Sequence, residues 1–279
     1  MTTMTITAAD INKLRQMTGA GMMDCKKALT EAEGDFEKAI DELRKKGQKV
    51  AANRGDRESK EGVVLAKVTS DNKRGVVLAI NCETDFVAIN AEFIKMTNAV
   101  IDIAIAKNPT SADELKALPF DAKITIGEKL IEQTGVIGEK IEIGAFEKLS
   151  GAYVGFYIHA GNKIATLVSL SANVAGAEEA SRNVAMQAAA MNPIALNEAG
   201  VDADTVAKEI EIAKDLLRQE GKPEAMIENI AKGKLGRFFK DNTLVNQDYI
   251  KDSAMSVANY IKSVDATLIV TGFKRAALG

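Results

Sequence analysis

The apolar residues of this chain follow the order strand, strand, helix twice, and this repetition limits the fold more than any other feature of the sequence. In the first copy, residues 62–69 and 75–82 are rich in Val, Leu and Ile and flank a polar turn, which predicts a β-hairpin. A helical pattern follows and is expected to end before Asn108-Pro109, because proline disfavours helix in the residue that precedes it.

The second copy has the same order with different residues. Residues 152–159 and 164–170 predict another hairpin, and the helix after it is expected to stop at Asn192-Pro193. We infer two related strand-strand-helix subdomains from this recurrence. Two independent hairpin–helix units remain an alternative, because few residues are identical between the copies.

The N-terminal region, residues 5–46, has helical spacing in three short segments. Gly34 is expected to end the second helix and Asp35 to cap the third. A module of about forty residues must be compact to be stable. Residues 44–60 are dense in charge, which predicts an exposed linker or a solvated helix extension and places the first domain boundary there.

The region after residue 202 returns to helical spacing. Two helical segments that meet at residues 221–223 predict an antiparallel helical hairpin with charged outer faces. Such an arm supports self-association or a partner contact, although a plain solvated hairpin fits the pattern equally well. A closing helix over residues 250–264 and a final strand over residues 267–273 complete the pattern.

These patterns together predict an α+β protein with an N-terminal three-helix module, a duplicated strand-strand-helix core and an inserted antiparallel helical hairpin. The predicted domains are residues 1–55 for the three-helix domain with its linker, 56–142 for core subdomain N, 143–201 for the first part of core subdomain C, 202–240 for the helical hairpin, and 241–279 for the closing helix and strand of core subdomain C.

Composition excludes several classes of protein. With 279 residues and 46% hydrophobic content, the chain can build a substantial core. A formal net charge of -3 gives no basic field for phosphate backbones, so we expect no direct nucleic-acid partner. No apolar run approaches the roughly 20 residues that span a bilayer, and the first residues lack the pattern of a targeting signal. We therefore expect no membrane contact and a cytoplasmic location.

The chain is short of the residues that most enzyme sites use. Cys25 and Cys82 are far apart and form no CxxC pair, which argues against a disulfide framework or a zinc site, and we expect both to be buried. There is one histidine, His159, and no phosphate-binding loop of the form GxxxxGK followed by Ser or Thr. We expect neither catalysis nor a cofactor or metal. An enzyme would have to use Glu83, Asp85 and His159 as acid–base groups, and nothing in the sequence places them together.

Two methionines near the N-terminus do not follow the core pattern. If Cys25 and Leu29 define the buried face of the second helix, Met23 lies about 160° away from Cys25 around the helix axis. Met22 lies nearer the edge of the apolar face. A methionine pair of this kind suits an adaptable binding surface, and an incidentally exposed methionine is the alternative.

A second unusual segment, residues 81–88, has the sequence Asn-Cys-Glu-Thr-Asp-Phe-Val-Ala and follows the second predicted strand. A polar turn there precedes the large aromatic Phe86, in the kind of loop that commonly carries function. Two plainer interpretations remain, in which Asp85 caps a helix and Phe86 fills the core.

Both segments resemble signatures of the elongation factor Ts family. The first match is Thr18-Gly-Ala-Gly-Met-Met-Asp-Cys-Lys-Lys-Ala-Leu29, and the second is Asn81-Cys-Glu-Thr-Asp-Phe-Val-Ala88 followed by Asn90 and Phe93. Both are long and specific. The resemblance also covers the duplicated core, His159 and the charged helical hairpin, so it extends over nearly the whole chain.

The resemblance implies a ubiquitin-associated-like fold for the N-terminal helices and a core that embraces the GTPase elongation factor Tu. It implies guanine-nucleotide exchange in translation elongation, in which the factor disturbs the magnesium and phosphate site of the GDP-loaded GTPase and promotes GDP release for GTP reloading. It associates the helical hairpin with coiled-coil contacts and a possible homodimer. The residues that it places against the partner are Arg15, Met22, Met23 and Lys26 on the N-terminal face, Thr84, Asp85, Phe86 and Val87 in the segment that disturbs the magnesium site, with Phe86 as the wedge, and His159 in core subdomain C.

The sequence departs from the family pattern at three places. Ile89 stands where a basic residue is usual, and residues 160–162 are less rich in glycine than the usual turn after the histidine. The chain ends at Gly279 without the extra helical module that some members carry, so we expect no contact from such a module. A ubiquitin-type adaptor, which would bind peptides through the three-helix module, is the rival function.

Overall fold

The structure is a computed structural model that describes residues 6–279, so residues 1–5 of the predicted N-terminal domain lie outside the described residues. The described residues form both helices and small β-sheets, which confirms the predicted α+β class. The helices are α1 (Ala8–Thr18), α2 (Met22–Glu31), α3 (Phe36–Asn53), α4 (Asp85–Ala88), α5 (Ala91–Lys107), α6 (Ala112–Ala117), α7 (Ile126–Ile137), α8 (Ala177–Met191), α9 (Ala203–Gln219), α10 (Glu224–Asn242) and α11 (Val257–Val264). The strands are β1 (Glu61–Val68), β2 (Arg74–Cys82), β3 (Glu142–Ser150), β4 (Tyr153–Ile158), β5 (Ile164–Leu170), β6 (Asp248–Tyr249), β7 (Asp252–Ser256) and β8 (Val270–Ala277).

The strands between residues 6 and 279 form three small sheets. β2 lies between β1 and β3 in the first, β5 lies between β4 and β8 in the second, and β6 pairs with β7 in the third. β4 and β5 are antiparallel, with Tyr153 opposite Leu170 and Ile158 opposite Ala165. Within the described residues, no helix is both long and apolar enough to cross a membrane.

The chain folds into two compact units. The first contains the described residues through Leu65 together with Leu78–Phe146 and Ala277–Gly279, and the second contains Ala66–Val77 and Glu147–Ala276. Each unit is therefore discontinuous in sequence, and the tip of the first hairpin belongs to the second unit. The five predicted domain ranges are a finer division and stay a prediction.

The N-terminal helices begin and end at residues with capping chemistry. Thr7 caps α1 by accepting from the N–H of Asp10, whose carboxylate accepts from Thr7 in return. α2 ends at Glu31 with Ala32 as its C-cap, so the helix stops before Gly34, which has a φ of 85° and donates its N–H to the C=O of Leu29. Asp35 caps α3 by accepting from two backbone N–H groups, which confirms the expected cap. The fully buried residues of the core that these helices share are Leu14, Cys25, Leu29 and Ala39.

α3 is longer than the expected third helix, because it continues through the charged stretch to Asn53. Gly47 is buried there against α7, where a Cβ on Gly135 would overlap the Cα of Gly47. Two helix backbones approach this closely only when both residues lack side chains. The helical alternative for residues 44–60 is therefore correct up to Asn53, but this extension is packed on one side rather than fully solvated.

The two hairpins turn with the same backbone geometry. In each turn the residue after the first strand donates its N–H to the C=O of the residue that begins the second strand. The C=O of that same first residue accepts from the N–H of an asparagine in the left-handed conformation. The residues that form these bonds are Thr69, Asn72 and Arg74 in the first turn and His159, Asn162 and Ile164 in the second. The N···O distances are 2.9 to 3.0 Å.

The helices that follow the hairpins also end alike. α5 ends at Asn108, with a φ of 56°, and α8 ends at Asn192, with a φ of 45°, and each asparagine precedes a proline. Both expected stops are confirmed. Of the five non-glycine residues with positive φ that the structure describes, four are the asparagines of these matching turns and helix ends. The left-handed asparagine thus recurs at matching positions of the turns and the helix ends.

The prediction for the closing helix is wrong in its first half. β7 occupies residues 252–256 of this stretch, β6 lies just before it, and α11 begins only at Val257. The buried side chain of Gln187 explains the difference, because it donates to the C=O of Asp248 at 3.1 Å and accepts from the N–H of Ile250 at 2.8 Å. These bonds fix β6 and the turn at Ile250 that leads into β7. The final strand, β8, is also displaced toward the C-terminus from its expected range.

α9 and α10 pack against each other around a small apolar core of their own. Between the two helices, Lys214 pairs with Glu228 at 3.5 Å and Arg218 pairs with Glu224 at 3.1 Å. Exposed ion pairs of this kind contribute little to stability, so the apolar contacts dominate. The buried residues of this core are Ala213, Leu217, Ile227 and Ala231.

Two glycine-to-alanine changes within helices should have opposite effects on stability. Gly135→Ala should lower the free energy of unfolding by about 1 to 3 kcal/mol, because its Cβ forces α7 away from Gly47. Gly236→Ala should raise it by about 0.5 to 1 kcal/mol, because Gly236 lies in α10 with open space around the new Cβ. Chemical unfolding followed by circular dichroism measures both changes. Equal stabilisation by the two substitutions would show that α3 and α7 are not in close contact.

Candidate partner-binding site

Phe86 lies on the short helix α4, between β2 and α5, and its side chain is 79% exposed. Ile89, directly after this helix, is 75% exposed. Asp85 is exposed as well, and Thr84 rather than Asp85 occupies the N-cap position. Both plainer interpretations of the segment are therefore wrong, since Phe86 does not fill the core and Asp85 does not cap the helix. Two adjacent exposed apolar side chains are typical of an interaction surface.

A carboxylate from outside the segment holds the turn that precedes α4. Glu139 follows α7 in the chain, and one of its oxygens accepts from the backbone N–H groups of Glu83 and Thr84 at 3.1 and 3.0 Å. The other oxygen accepts from the hydroxyl of Thr84 at 2.7 Å. Three bonds to one ionised group fix the backbone and the side chain of Thr84 together.

Glu83 is held by different groups. Both of its carboxylate oxygens accept from the guanidinium of Arg54, at 2.9 and 2.8 Å, and one also accepts from the backbone N–H of Lys140 at 2.7 Å. Burial favours a higher pKa for Glu83, but the bonds from Lys140 and Arg54 outweigh it and hold the pKa below its usual value. Glu83 is therefore a charged structural anchor at neutral pH.

Buried residues fix both ends of the segment. Cys82 is fully buried, as expected, and its thiol donates to the C=O of Thr84 at 3.2 Å. Burial raises the pKa of this thiol to about 12, so it stays protonated and unreactive at neutral pH. At the other end, Asn90 caps α5 and Phe93 is almost completely buried. Phe86 thus projects from a segment that is anchored before and after it.

The second helix presents the predicted methionine face. Met23 is 76% exposed and Met22 is 55% exposed, while Cys25 is fully buried. The predicted orientation of Met23 is therefore confirmed. Arg15 on α1 and Lys26 on α2 are also exposed. This face combines flexible thioethers with positive charge, which suits a partner surface of mixed character.

One open groove in the first unit joins part of the N-terminal face to the Phe86 segment. Arg15 lines it together with Phe86 and Val87, and Phe93 and Ile137 contribute to its apolar side. The other three predicted residues of the N-terminal face lie outside the lining that the described residues form. The structure therefore brings Arg15 together with Phe86 and Val87 but does not gather the whole predicted set.

His159 belongs to the second unit, where it directly follows β4 and is exposed. Its Nδ1 is 3.0 Å from the hydroxyl oxygen of Tyr157, which orients the imidazole. Of the two acids in the enzyme alternative, Glu83 is bound to Arg54 and is therefore unsuited to proton transfer. Over residues 6–279, no group of three or more His, Cys, Asp or Glu side chains is arranged to hold a metal ion.

Glu139 and Arg54 are the residues of this site that the sequence analysis does not find. Arg54 falls in the charged stretch assigned to a linker, and Glu139 belongs to no recognisable motif. The one signal is weak: Gly138 ends α7 in the left-handed conformation, which places Glu139 in a loop. The contact between Glu139 and Thr84 is revealed only by the fold.

Comparison with known proteins gives one consistent result. The family model described as Elongation factor TS matches residues 83–279. A relative named Elongation factor Ts, from Flavobacterium psychrophilum, is 73% identical over 275 residues, which are 99% of this chain and 99% of the relative. A relative of the same name from Christiangramia forsetii is 64% identical over 98% of this chain and 99% of its own length. Another, from Amoebophilus asiaticus, is 50% identical over 99% of this chain and 100% of its own length. The chain therefore belongs to the elongation factor Ts family.

Proposed function

We propose that this chain is a guanine-nucleotide exchange factor for elongation factor Tu in translation elongation, acting in the cytoplasm without a cofactor or a chemical step of its own. Family membership supports the partner and the process. The observation that carries the mechanism is Phe86, a large apolar side chain that stays 79% exposed on an anchored turn. An exposed aromatic on a pre-formed support can enter a partner surface at little cost in conformational entropy.

The proposed contacts follow the residues that the family resemblance places against the partner. The N-terminal face docks on the GTPase, and the groove that Arg15 and Phe86 share supports a continuous surface from that face to the wedge. His159 contacts a second region of the partner. The complete set is Arg15, Met22, Met23, Lys26, Thr84, Asp85, Phe86, Val87 and His159.

A wedge at the partner's magnesium site is sufficient for exchange. Mg²⁺ requires near-octahedral coordination at about 2.0 to 2.1 Å, so a small displacement of its ligands weakens binding sharply. Loss of the ion also removes positive charge that holds the nucleotide phosphates. Phe86 therefore needs to supply only steric displacement, which is what an apolar ring on a fixed turn can do.

Exchange of this kind is governed by reciprocal binding energies. If an exchange protein lowers the affinity of the GTPase for nucleotide by a given ratio, it must bind the nucleotide-loaded GTPase more weakly than the empty GTPase by the same ratio. The exchange factor thus stabilises the empty GTPase, and a fresh nucleotide displaces it. No covalent intermediate is needed at any step.

We also propose the finer domain organisation given by the five sequence ranges. The matching asparagine turns and helix ends support a duplicated strand-strand-helix core. The core that α1, α2 and α3 share supports an N-terminal ubiquitin-associated-like module, and the small apolar core between α9 and α10 supports a helical hairpin. Self-association of this hairpin is part of the proposal. A net charge of -3 supports a protein partner rather than nucleic acid.

Phe86→Ala should slow the release of a fluorescent GDP analogue from elongation factor Tu more than it weakens complex formation. Because Phe86 is 79% exposed, its truncation should change the free energy of unfolding by about 0.5 kcal/mol or less, so slow release would not reflect misfolding. One preparation serves for the release rate, the affinity for the empty GTPase and the melting curve.

Ile89→Ala is the matched control, since Ile89 is 75% exposed beside the same short helix. It should slow release less than Phe86→Ala does. Parent-like release by Phe86→Ala with unchanged binding would contradict the wedge. Equal losses in the two variants would assign the effect to apolar area in general rather than to Phe86.

Met23→Asp should weaken association with elongation factor Tu by about tenfold or more, because it places a charge within the proposed contact. The substitution should leave the melting temperature nearly unchanged, since Met23 is 76% exposed. Met191→Asp, at another exposed methionine, is the control and should keep the parent affinity. Equal affinities for all three proteins, measured by calorimetry, would remove the N-terminal face from the interface.

A further inference from the structure

Glu139 ties the Phe86 segment to the rest of the first unit, although it lies far from that segment in sequence. Its carboxylate accepts from the N–H of Glu83, the N–H of Thr84 and the hydroxyl of Thr84, at 2.7 to 3.1 Å. Hydrogen bonds to an ionised acceptor are stronger than bonds between neutral groups. The last two residues before α4 are thus held by one side chain.

α4 cannot keep its own orientation. It has four residues, and a single helical turn is unstable alone because nucleation fixes several dihedral angles for one hydrogen bond. Thr84 stands at the N-cap, yet its hydroxyl donates to Glu139 instead of accepting from the helix. The direction in which α4 presents Phe86 therefore depends on bonds from outside the helix.

The exposure of Phe86 makes this dependence important. Burial of an aromatic side chain is favourable, and the groove beside Phe86 offers apolar surface at Met17 and Ile137. A loosened segment would lose the outward orientation of Phe86 through contact with this surface or through disorder. Glu139 opposes both by fixing the backbone immediately before α4.

We propose that Glu139 is a positioning residue for nucleotide exchange, whose carboxylate sets the orientation of Phe86 before the partner binds. This inference rests on the proposed function. Glu139 acts through Thr84 and does not itself enter the partner. Because Arg54 and Lys140 hold Glu83 independently, loss of the Glu139 bonds loosens the segment without detaching it.

Glu139→Gln tests the proposal directly. The amide keeps the shape of the side chain but carries no charge, so its one oxygen accepts more weakly than a carboxylate from the N–H groups of the turn, and its nitrogen cannot accept from the Thr84 hydroxyl. We expect release of the fluorescent GDP analogue from elongation factor Tu to slow by about tenfold, the factor that corresponds to loss of one charged hydrogen bond. Affinity for the empty GTPase should fall much less, since the N-terminal face still docks.

Glu128→Gln is a matched control in the same unit. Glu128 also accepts from a backbone N–H and a hydroxyl, both of Thr125, at 2.8 and 3.0 Å, but it caps α7 and does not contact the Phe86 segment. This variant should lose some stability and keep the parent release rate. If Glu128→Gln slowed release as much as Glu139→Gln, the effect would be general destabilisation and the proposal would fail.

A double-mutant cycle separates the positioning role from a purely structural one. If Glu139 acts only through Phe86, Glu139→Gln should slow release about tenfold in the parent but hardly at all in the Phe86→Ala background. Equal slowing in both backgrounds would overturn the proposal. If elongation factor Tu releases GDP at the parent rate with Phe86→Ala, the wedge proposal itself fails. If release is slow with Phe86→Ala but at the parent rate with Glu139→Gln, only the role of Glu139 fails.

Amide hydrogen exchange on the free protein gives a second measurement. In Glu139→Gln the N–H groups of Glu83 and Thr84 should exchange faster than in the parent, while those within β2 keep their protection. Unchanged exchange at both groups would contradict the proposal. So would a variant that no longer folds, because Glu139 would then be a residue of general stability.

Discussion

The hydrogen bonds between Glu139 and the turn at Glu83 and Thr84 are the constraint on which the site depends. β2 ends at Cys82, so the N–H groups of the next two residues leave the ladder and need other acceptors. One carboxylate supplies acceptors for both and for the Thr84 hydroxyl. With these groups satisfied, the chain can turn sharply and begin α4 with Phe86 facing solvent.

The exposure of Phe86 and Ile89 contradicts the ordinary rule that large apolar side chains lie inside a protein. Their neighbours Cys82 and Phe93 do follow that rule, so the segment is within reach of a core. Leaving one such side chain in water forgoes about 1.5 to 3 kcal/mol of stability. Natural proteins accept such local conflicts mainly at functional sites. The exposure therefore supports the proposed contact of this segment in a complex.

Features determined by nearby residues could be predicted from the sequence, and features determined by distant ones could not. Gly34 and Asp35 end and begin helices through bonds within one turn, and the outward direction of Met23 follows from helix geometry alone. The sequence does not predict the strands before α11, because Gln187, from another helix, fixes β6 and the turn after it. The role of Glu139 was missed for the same reason. The Phe86 segment could be found from its motif, but the group that orients it could not.

The two hairpin–helix stretches differ most at the place where function is proposed. Their turns and helix ends share the same asparagine conformations, on either side of the connection between the second strand and the helix. In the first stretch this connection contains α4 and Phe86, whereas in the second it runs from Leu170 to Ala177 without a described helix. A scaffold that repeats can keep its geometry while one connection changes its chemistry. The proposed exchange activity thus depends on the connection at which the two stretches differ, and not on the asparagine turns and helix ends that they share.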